Sequence, residues 1–317
     1  MQKIEDNKHS INFDDAIDLK ELFFILVQGK WIIASMTAFF SIVGIIYSLS
    51  LPNIYESKAL LAPVDESSSL MSGGVLSEYS GLAGLAGISL PGGDNSSNSK
   101  KAIEVMSSLS FFENYIMPKI FLPNLMAVEY WDEKNNKIFY DESIFKKNSN
   151  TWVRDASYPK KLIPSAQESF TVFKNDHFNL SEDNETGYVT LSVKHQSPIL
   201  AKQWVEMIFR EVNTFYRQKD KSQSEKAVTF LNKQMAANSL SEIRQVTASL
   251  LQKEIQKLTL VEANNDYVFE YIYPPSIMEN KSDPKRALIV ILFFLLGGVL
   301  SIFLVLVRFY VSNQKTF

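Results

Sequence analysis

Residues that catalyse reactions or bind metals do not occur in this sequence at the spacings that such sites require. The three histidines, His9, His177 and His195, are far apart in the sequence. Zinc sites need three or four ligands brought together, with characteristic short spacings between some of them. The spacing therefore predicts no metal site, and we expect all three imidazoles to lie at the surface.

Other catalytic patterns are missing as well. The chain has no cysteine, which excludes disulfides, thiolate ligands and cysteine nucleophiles. No serine lies in a nucleophile elbow, and no His-Glu-x-x-His motif occurs. The acidic clusters Asp14–Asp18 and Glu182–Glu185 are typical of a helix start and of a solvated turn. We expect a protein without catalytic, cofactor or metal residues. A carboxylate pair for glycoside chemistry would need a cleft that sequence does not show.

A glycine-rich stretch between Ser67 and Ser99 contains the run Gly81-Leu-Ala-Gly84-Leu-Ala-Gly87. A phosphate-binding loop would end in Gly-Lys-Ser or Gly-Lys-Thr and join a strand to a helix. This stretch has neither feature and favours a flexible loop. The net charge of −3 also argues against nucleic acid as a partner.

Two apolar runs frame the chain, from Trp31 to Leu51 and from Ala287 to Val307, and neither contains a charged residue. At about 1.5 Å per residue, each can cross the ~30 Å hydrocarbon core of a bilayer. A cleaved signal peptide is the alternative for the first, because Ser48-Leu49-Ser50 loosely resembles a cleavage site. The run is longer than a signal sequence and starts later. We therefore predict two transmembrane helices, 31–51 and 287–307.

Basic residues predict the orientation of these spans. Four lysines precede the first run, whereas the nearest base after it is Lys58, and basic excess marks the cytoplasmic side. We expect cytoplasmic tails over 1–30 and 308–317 and an extracytoplasmic domain over 52–286. The bases before the second run favour the opposite orientation, but the first helix usually sets topology.

The segment between the spans mixes strand and helix patterns. Strands are predicted at 55–61, at 267–273, and at 169–173 and 187–193, which would pair as a hairpin. A helix is predicted over 99–116. The predicted fold class is α+β: an α/β base domain over 52–197 and 266–274, a long protruding helical hairpin, and two transmembrane helices.

The helical hairpin is predicted over 198–265. Ser197 and Pro198 form a helix start, after which apolar residues recur at spacings of four and three, as in a coiled-coil seam. Ser239-Leu-Ser-Glu242 is a capping box that starts a second helix, with the tip near Asn238. The residues predicted to pack the hairpin are Val205, Ile208, Val212, Phe215, Leu231, Ile243 and Leu250. Such seams favour self-association.

Several stretches resemble Wzz-type chain-length determinants, the polysaccharide co-polymerases of the bacterial inner membrane. They are IDLKELFFILVQGKWIIASMTAFFSIVGIIYSLSLPNIYESKALLAP near the start, and AKQWVEMIFREVNTFYRQKD, FLNKQM, SLSEIRQ, YVFEYIYPP and SDPKRALIVILFFLLGG in the second half. The resemblance covers the chain end to end and is weakest from about 120 to 165. The chain departs from the family at Met278 and Ala287, where proline is common.

The resemblance implies an inner-membrane protein with a periplasmic main domain and a ring-like homo-oligomer without catalytic residues. It implies control over how many sugar repeats a Wzy-type polymerase adds to a lipid-linked glycan, usually lipopolysaccharide O-antigen. We hypothesise that four residues shape the second span for subunit or polymerase contact; helix-start and packing roles are the alternative. They are Pro275, Pro284, Gly297 and Gly298.

Related functions stay open. A co-polymerase for enterobacterial common antigen-like, capsule or exopolysaccharide synthesis is the first alternative, although no tyrosine-rich kinase tail follows the second span. A periplasmic sensor should carry a cytoplasmic output domain, and a transport adaptor normally has one anchor rather than two. The regulator of glycan chain length fits these features best.

Overall fold

The computed structural model describes residues 19–64, 95–237 and 240–314. The chain divides into two compact units, one formed by residues 1–52 and 283–317 and the other by residues 53–282. Most of the predicted glycine-rich loop, the acidic cluster at Asp14–Asp18, and the hairpin tip with Ser239 lie outside the described residues.

Groups of helices and groups of strands follow one another between the terminal helices. In chain order they are α1 (Leu19–Gln28), α2 (Lys30–Ser50), β1 (Tyr55–Pro63), α3 (Asn95–Met106), α4 (Leu109–Phe111), which continues as a π-helical turn (Phe112–Ile116) and a 3-10 turn (Met117–Lys119), α5 (Pro123–Met126), β2 (Val128–Asp132), β3 (Lys137–Tyr140), β4 (Phe145–Lys146), β5 (Thr151–Trp152), α6 (Ala166–Val172), which continues as a π-helical turn (Phe173–His177), β6 (Phe178–Glu182), β7 (Val189–His195), α7 (Pro198–Ala237), α8 (Ser241–Ala263), β8 (Phe269–Tyr273) and α9 (Arg286–Gln314).

The first unit contains the helices α1, α2 and α9. Helices α2 and α9 are long and apolar enough to cross a membrane, and they pack against each other. Most of their apolar side chains are exposed in the single chain, as expected for helices whose surroundings are lipid.

The second unit is built on an antiparallel four-stranded sheet with strand order β6-β7-β1-β8. In β1, alternate residues from Tyr55 to Leu61 are buried, because successive side chains of a strand point to opposite faces. Tyr55 pairs with His195 and Leu61 with Val189. The first half of α7 covers the sheet, and their side chains form one core.

The hairpin of α7 and α8 matches the predicted feature. Helix α7 has 40 residues, which corresponds to about 60 Å at 1.5 Å per residue. Helix α8 returns along it, and Val261 near its end joins the core beside the sheet. The α+β fold class with a helical hairpin and two terminal apolar helices is therefore confirmed.

The predicted strand at 169–173 is wrong, because these residues lie in α6 and the turn after it. The Ser165 hydroxyl accepts the Glu168 N–H at 3.2 Å, a helix N-cap directly after Pro164. Helical spacing then places Phe170 and Phe173 together against Phe112, with ring centroids 5.6 and 5.0 Å away. The strand that pairs with β7 is β6.

The turn between β6 and β7 contains the acidic cluster Glu182–Glu185. The Asp183 carboxylate accepts the Glu185 N–H at 2.9 Å, and this bond lowers the pKa of the Asp183 carboxyl. Gly187 closes the turn with φ of +69°, a conformation that favours glycine. This cluster is thus an exposed turn, as the sequence indicates.

Candidate functional site

An apolar face of α8 is uncovered in the single chain. Ile243, Val246 and Leu250 are 41%, 60% and 45% exposed, and spacings of three and four residues place them on one side of the helix. We call these three residues the hairpin stripe. Thr247 between them is buried, so its side of α8 is the covered one. A row of exposed apolar side chains is typical of an interaction surface.

The residues predicted to pack the hairpin lie in different surroundings. Phe215 packs edge-on against Tyr115, with ring centroids 5.2 Å apart. Of the seven residues predicted to pack the hairpin, Ile243 and Leu250 are the exposed ones. Val205, Ile208 and Val212 lie in the core beside the sheet, Leu231 is half-buried, and Ile243 and Leu250 belong to the hairpin stripe.

Asn213 fixes α7 to the chain that returns from the hairpin. Its Oδ1 accepts the N–H groups of Tyr267, Val268 and Phe269 at 3.1, 2.8 and 3.0 Å. Its Nδ2 donates to the Phe269 carbonyl at 3.0 Å, and the residue is 2% exposed. Buried backbone groups must find such partners. The sequence shows no signal for this role, since the partners lie more than fifty positions later.

Polar contacts align the second half of α8 with the middle of α7. Lys221 pairs with Glu262, and Lys257 pairs with Asp220 at 3.3 Å. The Tyr267 hydroxyl also donates to Asp220, at 2.7 Å. Exposed ion pairs contribute about 0–1 kcal/mol each, so these contacts specify the pairing of the helices more than they stabilise it.

His195 is buried, which contradicts the prediction of a surface residue. It is 1% exposed, and its Nδ1 accepts the Ser197 N–H at 2.8 Å. Its Nε2–H donates to the Asn124 carbonyl at 3.0 Å. The Trp204 ring packs against the imidazole, with centroids 5.2 Å apart. Both ring nitrogens thus form hydrogen bonds with backbone groups, one as acceptor and one as donor. The neutral imidazole has this combination of one acceptor and one donor.

His177 is also more covered than predicted. It is half-buried, and its Nδ1–H donates to the Lys194 carbonyl at 2.7 Å. Its ring lies 5.6 Å from that of His195. His9 lies outside the described residues. Within the described ranges, His, Asp and Glu side chains form no group that could hold a metal ion.

The buried His195 predicts a loss of stability in acid. Burial lowers the pKa of His195 from 6.5 to about 4, and burial also lowers the pKa of His177. Below pH 6.5 the unfolded chain therefore binds protons that the folded protein does not. From His195 alone we expect about 2 kcal/mol of stability to be lost between pH 7 and pH 5. Thermal unfolding of the full-length protein in detergent at the two pH values measures it.

The control for this experiment is His195→Asn, which keeps an acceptor for the Ser197 N–H but does not titrate. The variant should be less stable at pH 7 and lose less stability on acidification. A wild-type melting temperature that is the same at both pH values would contradict the prediction.

Two glycines lie in the contact between α2 and α9. A Cβ at Gly44 would meet the Phe293 Cβ at 2.7 Å, and one at Gly297 would meet the Phe40 Cβ at 2.7 Å. Both glycines are buried. Gly298 differs, because nothing lies within 4 Å of the position of its Cβ. Of these two neighbouring glycines, Gly297 therefore lies between the helices, whereas Gly298 lies on an open side of α9.

The prolines that precede the second span also occupy different places. Pro275 is buried in the 53–282 unit, and Pro284 is half-buried two residues before α9. Just after it, the Arg286 guanidinium donates to the Ser48 and Leu51 carbonyls at 3.1 and 3.5 Å. These carbonyls lie at the end of α2, which has no further helical turn to receive them.

Comparisons with known proteins find a family match for one segment of the chain. Residues 15–117 match the model of the Wzz family, described as chain length determinant protein. The matched segment covers α1, α2, β1 and the helices up to the π-helical turn. Over this segment the chain is similar to the Wzz chain length determinant family, and the match supports the resemblance found in the sequence.

Two solved structures are among the matches. A full-length bacterial polysaccharide co-polymerase is 16% identical, with TM-score 0.40, covering 93% of this chain and 99% of its own. A fragment of the polysaccharide co-polymerase WzzB from Salmonella Typhimurium is 13% identical, with TM-score 0.29, covering 73% of this chain and 100% of its own. No curated protein matches the chain.

Proposed function

We propose that this protein regulates the modal chain length of a lipid-linked surface polysaccharide made by a Wzy-type polymerase, the polysaccharide being lipopolysaccharide O-antigen. It would act as a non-catalytic scaffold. The observation that supports this proposal most directly is the family match over residues 15–117, a segment that includes the first apolar helix. Enterobacterial common antigen-like, capsule or exopolysaccharide synthesis is the alternative within the same class.

The proposed location is the bacterial inner membrane. Two apolar helices near the ends of the chain support two passes, and the excess of lysines before the first supports cytoplasmic termini. Residues 1–30 and 308–317 would then be cytoplasmic tails. Residues 52–286 would be the periplasmic domain, with the hairpin over 198–265.

The proposed assembly is a ring-like homo-oligomer. The hairpin stripe supports it, because three apolar side chains exposed by 41–60% would gain from burial against a neighbouring copy. Closed rotational symmetry would let each copy offer the same surfaces to its neighbours. The glycan length could then be set by contact of the growing lipid-linked glycan with the assembly, or by contact of the polymerase with the spans.

A deletion strain tests the proposed function. We expect deletion to leave polymer synthesis intact and to replace the modal length distribution by a broad one on a polysaccharide gel. The intact gene should restore the mode, which serves as the control. Loss of all polymer would contradict length regulation and support a role in synthesis or export. Separate gels for O-antigen and for other surface glycans identify the polysaccharide.

A further inference from the structure

The β2–β3 hairpin lies across one end of the four-stranded sheet. Trp131 in β2 packs edge-on against Tyr55, the first residue of β1, with ring centroids 5.6 Å apart. Gln196, which follows β7, donates to the Glu129 carbonyl at 3.4 Å. Since β1 begins where β7 ends, both contacts lie at the same end of the sheet.

The chain enters and leaves the 53–282 unit at this same end. The Ser282 N–H donates to the Ile54 carbonyl at 2.8 Å, and the Lys281 ammonium donates to Asn53 Oδ1 at 3.2 Å. We call this the tethered end, because the residues that follow in both directions lead to the apolar helices α2 and α9. Both connections to the apolar helices therefore leave the 53–282 unit at the end of the sheet where the β2–β3 hairpin lies.

The outward face of the β2–β3 hairpin carries two aromatic rings. Tyr130 and Phe139 are a cross-strand pair, and alternation along the strand places them on the face opposite Trp131. Their rings stack in parallel with centroids 4.6 Å apart, and Tyr130 is 47% exposed. The Lys137 ammonium lies 5.2 Å from the centre of the Phe139 ring. Stacked rings beside an ammonium thus face away from the sheet.

This combination suits the boundary between water and lipid. Tyrosine rings collect at the headgroup level of membranes because one end is apolar and the other polar. Lysine can place its stem along apolar surface and its ammonium near lipid phosphate. On the same hairpin the Asp132 carboxylate accepts the Lys134 N–H at 3.0 Å and the Asn135 amide at 2.6 Å. These hydrogen bonds satisfy the Asp132 carboxylate within the turn and lower the pKa of its carboxyl.

We propose that the β2–β3 hairpin rests on the bilayer, with Tyr130 and Phe139 in the headgroup layer and Lys137 at the lipid phosphates. This contact would be a second attachment of the folded unit to the membrane, besides its two chain connections, and would restrict its tilt. The proposal depends on the proposed membrane insertion of α2 and α9. It does not depend on which glycan the protein regulates.

Spin labels on single cysteines test the proposal, because the natural chain has no cysteine. Full-length Tyr130→Cys is labelled with a nitroxide and reconstituted into vesicles of phosphatidylethanolamine and phosphatidylglycerol without any glycan. Its accessibility to an aqueous nickel chelate and to oxygen is measured by power saturation. The matched control is Tyr188→Cys, since Tyr188 is 39% exposed in the turn at the opposite end of the sheet.

We expect nickel accessibility at position 130 to be roughly threefold lower than at position 188, with oxygen accessibility higher. Equal accessibility at the two positions would overturn the proposal. Protection of position 130 that appears only after a lipid-linked glycan is added would also overturn it and assign the rings to glycan binding. A label at Leu295→Cys, in the middle of α9, reports insertion separately, so failure of the membrane location is distinguishable from failure of this contact.

Discussion

Replacing the hairpin stripe by charge, as in the double variant Ile243→Asp/Leu250→Asp, is expected to dissociate the assembly and abolish the modal glycan length. Both side chains are exposed in the single chain, so aspartate costs little there in the monomer. In an apolar contact between copies, each buried carboxylate would cost about 3 kcal/mol or more. Native mass spectrometry of the detergent-extracted protein measures the assembly, and a polysaccharide gel of the complemented deletion strain measures the mode.

The matched control is Gln245→Asp/Gln252→Asp, which adds the same two charges at exposed positions of the same helix. It should assemble and set glycan length as the wild type does. The double variant should stay folded, with the wild-type far-UV circular dichroism spectrum, because the core that contains Val205, Ile208 and Val212 is untouched. If the double variant assembles normally, the hairpin stripe is not a contact between copies.

The two readouts also separate the proposed mechanisms. If length is set by contact between the glycan and the assembled hairpins, loss of assembly must remove the mode. If the spans set the processivity of the polymerase by themselves, a dissociated variant should still give a modal length. A variant that dissociates but keeps the mode would therefore favour control through the spans.

Elements whose pattern is local could be predicted from the sequence. A run of 21 uncharged residues has few solutions other than a membrane span. The seam after Pro198 likewise gave a continuous helix, α7, because spacings of four and three suit no strand. The helix α6 could also have been predicted from the sequence, since Ser165-Ala-Gln-Glu168 is a capping box. The aromatic residues that follow favoured a strand instead.

Features that depend on distant partners could not be predicted. His195 looked like a surface residue because neither of its backbone partners can be inferred from the strand that carries it. Asn213 likewise acts on backbone groups at 267–269, which only the return of the hairpin brings near. Such polar groups are buried only when the whole fold satisfies them. The local sequence pattern does not indicate which polar groups these are.

The same limit applies to Gly297 and Gly298, which are equivalent in the sequence but not in the structure. We expect Gly297→Leu to disturb the pairing of the spans, because its Cβ would meet the Phe40 Cβ at 2.7 Å and the Thr37 Cα at 3.2 Å. Such overpacking costs about 1–3 kcal/mol. The amount of protein in the membrane fraction, measured by immunoblot, should fall, and the modal glycan length should be lost with it.

Gly298→Leu is the informative partner of this change. Nothing lies within 4 Å of its Cβ position, so the pairing of α2 and α9 and the amount of protein should be unchanged. If a neighbouring copy or the polymerase contacts the span at this open glycine, the added side chain must hold that partner away, since close approach of helices in lipid requires small residues. The expected result is a normal protein level with a shifted modal glycan length. A normal level together with an unchanged mode would instead mean that the open side of α9 faces lipid, and that Gly298 has no role in contact.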